Sequence, residues 1–147
     1  MKNPVKVSEI NFSVICHATE DRDKVVKALT NIIPSKYREN LNIVERVLHG
    51  YYGNEIRMIK LTFKGKVAEE VFKYIISNLD DFSKGAILAT IESRVDDKCS
   101  HIFIRLDKQM AYLGKPMLRE GDDVIKVVTT FKYARKPEDI ENYIKSI

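Results

Sequence analysis

The sequence has no tryptophan, two cysteines, three histidines, six glycines and four prolines in 147 residues. Each shortage removes a class of protein. Cys16 and Cys99 make no disulfide framework, and neither sits at the spacing of a zinc ribbon or finger. Both fall inside apolar, strand-like segments, where a free thiol behaves as a small hydrophobe. Cys16-His17 and Cys99-Ser100-His101 bring thiol and imidazole together in sequence, but neighbours on a strand point to opposite faces, so no metal is expected. There is no linker, repeat or low-complexity tract, and the chain reads as one domain over residues 1–147. Neither GxGxxG nor GxxxxGKS/T occurs, and no cofactor is expected. No apolar run reaches the roughly 18–20 residues that span a bilayer, and the start MKNPVKVSEINF lacks a signal peptide's apolar stretch. A cytoplasmic protein without a membrane partner is the expectation.

What is present is charge. Lys and Arg total 25 against 21 acids, for a net charge of +4. The excess is modest, but it is unevenly spread. Between His101 and Lys136 stand Arg105, Lys108, Lys115, Arg119, Lys126, Lys132, Arg135 and Lys136, against Asp107, Glu120, Asp122 and Asp123. Such a concentration is either a footprint for a polyanion or a solvated surface.

Periodicity gives the architecture. Ile10, Phe12, Val14 and Cys16 alternate with polar residues over 5–17, which predicts a half-buried strand. Thr19 offers an N-cap for a helix carrying Val25, Val26, Leu29, Ile32 and Ile33, ended by Pro34. Strands are predicted over 41–48 and 55–64, joined by HGYYGN. A helix with the stripe Val67, Val71, Phe72, Ile75, Ile76 and Leu79 follows, then another capped by Ser83. Residues 99–106 return to strand, and Asp107 caps a short turn, KQMAYLG. A strand over 122–133 and a terminal helix, PEDIENYIKSI, complete the chain. The order is β-α-β-β-α-α-β-(short α)-β-α. The strands are amphipathic, so the fold class is α+β: a mostly antiparallel sheet with helices packed on one face. The polar sides of the strands carry Lys60, Lys64, Arg105, Lys126 and Lys132, which makes that face an RNA-binding candidate.

Catalysis finds little support. His17 near Glu20 and Asp21 suits a strand end followed by helix capping, and His49 beside Tyr51 is the remaining acid–base candidate. No catalytic residue is assigned and no enzyme is expected. The binding candidates are His49, Tyr51, Tyr52, Arg57, Lys60, Arg105, Lys108, Gln109, Tyr112 and Lys126. Aromatic planes that stack on unpaired bases, with Lys or Arg for phosphates, are the usual means of holding RNA. For Tyr51 and Tyr52 the alternative is hairpin packing, one ring covering the sheet edge.

CHATED (16–21), HGYYGN (49–54), RLDKQMAYLG (105–114) and GDDVIKV (121–127) resemble an archaeal RNA-binding protein family described as exosome-associated by genome context. The resemblance runs from about Val5 to Phe131. Met110 departs from it, standing where alanine is the commoner residue. Proteins of this kind look like the ribosomal protein that binds 5S rRNA. The resemblance implies non-catalytic binding of ribosomal or other structured RNA, with an RNA-processing complex as a further partner. KYARKPEDIENYIKSI lies beyond it. The other open readings are a protein-interaction or assembly factor using the same loops, a small RNA-processing enzyme, and a homodimer.

Overall fold

The structure, a computed structural model, describes residues 4–147. Five strands, β1 (Lys6–Cys16), β2 (Val44–His49), β3 (Glu55–Lys64), β4 (His101–Leu106) and β5 (Ile125–Lys132), form one antiparallel sheet in the order β2-β3-β1-β5-β4. The helices are α1 (Arg22–Asn31), α2 (Gly65–Asn78), α3 (Asp81–Ala89), α4 (Ile91–Arg94), α5 (Lys108–Tyr112) and α6 (Pro137–Lys145), with one 3₁₀ turn at Ser35–Tyr37. The α+β class expected from the periodicity is the one observed, and the elements follow the expected order except that three helices, not two, stand between β3 and β4.

The core lies between the sheet and the helices. Ile10, Phe12, Val14, Ile59, Leu61, Ile102, Ile104, Ile125 and Val127 are buried on one sheet face, against Val25, Leu29, Val71, Phe72, Ile75 and Ile76 of α1 and α2. Cys16 and Cys99 are both buried free thiols; Cys16 ends β1, whereas Cys99 lies in the turn before β4, with φ +56, and not in the strand expected over 99–106. A bulge between Val7 and Glu9 shifts the β1–β5 register, and Ser8 Oγ donates to the Thr130 carbonyl there.

Two expected caps move. Helix α1 is capped by Asp21, whose carboxylate accepts from Asp23 N, and not by Thr19. The reason is a turn closed by Glu20 N donating to the His17 carbonyl, which uses up Thr19 before the helix begins. Asp80, not Ser83, caps α3. Ser83 is buried inside that helix and accepts from Leu118 N. The single helix expected after Ser83 breaks at Thr90, where Thr90 Oγ1 donates to the Ala86 carbonyl and takes a bond from Arg94 Nε.

The C-terminal extension belongs to the core. Ile140 and Ile144 of α6 are fully buried, and the Tyr143 ring packs edge-on to Phe131 and beside Phe72. Tyr143 OH donates to Glu69 Oε2, which also accepts from Val7 N, so α6 is tied through α2 to β1.

Candidate nucleic-acid interface

Side-chain alternation sorts the strand residues onto two faces, and the register sorts them into rows. On the face away from the helices, Val44 of β2 opposes Lys60, Lys60 opposes Ser13, Ser13 opposes Lys126, and Lys126 opposes Arg105. Three cations thus lie in one row across the sheet, spanning about 14 Å from β3 to β4 at about 4.8 Å per strand. None of the three forms an ion pair among the described residues. The same face carries Lys6, Arg46, Lys64 and Lys132, and its one carboxylate among the described strand residues is Glu9. Glu9 is itself engaged, accepting from Asn11 Nδ2 at 3.0 Å with Lys64 Nζ at 3.8 Å.

Phe103 stands on this face one step along β4 from Arg105, opposite Val128 and 47% exposed. It was not among the sequence candidates. The signal was there, an aromatic in the polar phase of HIFIRL, but alternation alone does not tell an exposed ring from one covered by a neighbouring element.

The loops gather at one end of the sheet. Cys16 opposes Arg57 and Leu106 opposes Ile125, so the ends of β1, β2 and β4 and the starts of β3 and β5 coincide. CHATED, HGYYGN, the Asp107 turn and the acidic loop before β5 therefore share that end. In the β2–β3 hairpin, Gly50 N donates to the Asn54 carbonyl and Gly53 N to the Gly50 carbonyl. Gly53 has φ +78, a left-handed conformation that suits glycine. Tyr51 and Tyr52 are 96% and 87% exposed, their rings edge-to-face at 5.1 Å. They do not pack on the sheet, so the hairpin-packing alternative does not hold for either ring.

Other candidates are placed differently. Arg57 faces the helix side and pairs with Glu45, which also pairs with Arg22. His49 shares that helix-side phase and is exposed. Gln109 is exposed, while Tyr112 is half-buried, with Lys27 Nζ 5.7 Å from its ring centre and its carbonyl accepting from Asn31 Nδ2.

Lys108 is the most constrained. Its ammonium donates to the Ile15 carbonyl at 2.6 Å, to Glu20 at 3.0 Å and to Asp123 at 2.6 Å. It joins β1, the CHATED turn, α5 and the loop before β5, and its charge is already balanced. His17 Nδ1 reaches Glu20 Oε1 at 2.6 Å. Burial pushes the Glu20 carboxyl up, but hydrogen bonds from His17 and Lys108 outweigh it and hold the group below its ordinary range. His17, Glu20 and Asp123 bring ligand atoms within 4.8 Å of one another, and two of them, Glu20 and Asp123, hold the Lys108 ammonium. A pocket of about 450 Å³ opens beside it, lined by Glu20, Lys108, Arg119 and Asp122 among others. His101 Nδ1 bonds Asp96 Oδ2, and Asp96 Oδ1 accepts from Ser100 N and His101 N, a local turn lock.

Comparison with known proteins follows this geometry. A family model described as RNA binding matches residues 9–131. The chain is 38% identical over 146 residues to an uncharacterized protein of Methanocaldococcus jannaschii, covering 96% of this chain and 95% of that one. It is 29% identical over 131 residues to an RNA-binding protein of Pyrococcus abyssi, covering 86% and 83%. A solved structure from Sulfolobus solfataricus superposes with a TM-score of 0.78 at 30% identity, covering 94% of this chain and 98% of that one.

Proposed function

The chain belongs to the RNA-binding family whose pattern it carries, and on that footing we propose that it binds RNA across the uncovered face of its sheet, without chemistry of its own. The observation that supports this most is the division of charge between the two faces. Lys60, Lys126 and Arg105 form an unpaired cationic row on the uncovered side, while Glu45, Glu55 and Arg57 fall on the helix side. A row of unpaired cations is what a chain of phosphates neutralises.

Phe103 within the basic face and Tyr51 and Tyr52 at its end supply planes on which bases stack. The ligand is a ribosomal-type or otherwise structured RNA, met in the cytoplasm in the setting of an RNA-processing complex. An antiparallel sheet backed by helices supports the likeness to the 5S-rRNA-binding ribosomal protein. Two of the three histidines are held in local turn locks, which favours binding over catalysis.

The test is a salt series with ribosomal, transfer and unstructured RNAs. Each phosphate contact contributes a log–log slope of about −0.7 on single strands and about −0.9 on duplex. The triple change Lys60→Ala, Arg105→Ala, Lys126→Ala is expected to flatten the slope by about 2 to 3. An unchanged slope, or no salt-dependent binding to any of the three RNAs, defeats the reading. Product formed from labelled RNA and lost in His49→Ala defeats its non-catalytic part.

A further inference from the structure

The far end of the uncovered face, where β1 begins and β5 ends, carries an arrangement that folding alone does not account for. Lys6 and Lys132 are directly opposite each other across β1 and β5, on the same face. Like charges in directly opposed positions are destabilising in a sheet. Neither lysine has a carboxylate within ion-pair distance among the described residues. At Tyr133 the chain leaves the strand with φ +70, a left-handed conformation that costs a non-glycine residue about 1–2 kcal/mol. This turn leaves the ring 48% exposed, with Lys6 Nζ 5.8 Å from its centre. Exposed Arg135 and Lys136 follow at once. Lys136 Nζ pairs with Glu138 at 3.5 Å, which leaves a repelling pair, an exposed aromatic in a strained conformation and the Arg135 cation within one short stretch.

An anion between Lys6 and Lys132 turns their repulsion into attraction, and Tyr133 then sits beside that anion as a plane. We infer that Lys6, Lys132, Tyr133 and Arg135 form a second phosphate-contact site, at the opposite end of the face from the tyrosine hairpin. All four residues lie outside the stretch matched by the family pattern, residues 9–131, Lys6 before it and Lys132, Tyr133 and Arg135 after it. The inference rests on the RNA-binding reading above and adds a length to it. Lys126 and Lys132 are six residues apart on one strand, about 20 Å at about 3.4 Å per residue. A duplex rising about 3.4 Å per base pair covers that distance in about six base pairs, and the more compact A-form stem of RNA needs more, so only a stem longer than about six base pairs reaches both the central row and the far site.

RNA hairpins with stems of 5 and 12 base pairs separate the possibilities, since only the longer stem exceeds the span. The double change Lys132→Ala, Arg135→Ala is expected to flatten the salt slope for the long hairpin by about 2, at about 0.9 per duplex phosphate. It is expected to leave binding of the short hairpin unchanged. Both residues are exposed and Lys132→Ala removes the repulsion from Lys6, so a melting temperature no lower than that of wild type verifies the fold of the variant. Equal slopes for variant and wild type on the long hairpin, in a protein whose slope still responds to Lys60→Ala with Lys126→Ala, overturn the second site and leave RNA binding standing. Equal losses on both hairpins overturn the end-to-end span. Absence of salt-dependent binding to either hairpin removes the second site together with the RNA reading.

Discussion

Replacing Tyr51 and Tyr52 together with alanine separates recognition from folding more cleanly than any other change on this surface. The two rings are 96% and 87% exposed and touch each other rather than the sheet. The turn that carries them is closed by backbone bonds between Gly50, Gly53 and Asn54, none of which involves a tyrosine side chain. Their mutual edge-to-face contact is worth at most about 0.5–1.5 kcal/mol, and exposure reduces that. In a chain of this length about 1 kcal/mol moves the melting temperature by about 2–4 °C, which bounds the folding effect. Binding responds differently. A base stacked on a tyrosine contributes about 1–3 kcal/mol. The two rings stand at 84° to each other, so one stacked run of bases can lie flat on only one of them. The expected loss is therefore that of one stacking plane, about 5- to 150-fold in Kd, rather than the product of two. No charge is removed, so the salt slope stays the same. Fluorescence anisotropy with a labelled RNA at several salt concentrations, alongside a thermal melt, measures all three quantities. A Kd within twofold of wild type at unchanged melting temperature refutes the stacking role. A flattened salt slope refutes the assumption that the tyrosines act apart from the phosphate contacts.

Two further outcomes concern the frame. The Glu20 carboxyl is held below its ordinary range in the folded protein, so its contribution to stability is complete above its unfolded value near pH 4.5 and is lost as pH falls through the depressed folded value. Denaturant midpoints across acid pH are expected to fall more steeply for wild type than for Glu20→Gln, and parallel curves refute the coupling. Ile144 is fully buried in α6, and Ile144→Ala is expected to cost about 2–5 kcal/mol in urea unfolding. A loss below about 0.5 kcal/mol means the C-terminal helix is an appendage and not part of the core.

Much of this protein is legible in its sequence, because the period of a strand or a helix is set by backbone geometry. Alternation of Ile10, Phe12 and Val14 with Asn11 and Ser13 in β1 and the stripe from Val67 to Ile76 in α2 fix element type and buried side locally. Lys60, Arg105 and Lys126 fall on the polar phase of their strands without any knowledge of partners. Caps are less secure, since several Ser, Thr and Asp residues compete and a preceding turn decides among them. Thr19 lost to Asp21 in that way, and Ser83 lost to Asp80.

Only the tertiary structure decided which charges remain free. Lys108 and Lys126 look alike as residues in a basic segment. One is surrounded by the Ile15 carbonyl, Glu20 and Asp123, contributed from 93, 88 and 15 residues away, and the other faces solvent. Strand order did the rest. It set Lys60, Ser13, Lys126 and Arg105 side by side, opposed Lys6 to Lys132, and left both hairpin tyrosines out in water. Periodicity is a property of neighbours along the chain, so the sequence determines it. Pairing of charges is a property of neighbours in space, and register across the sheet is what creates them.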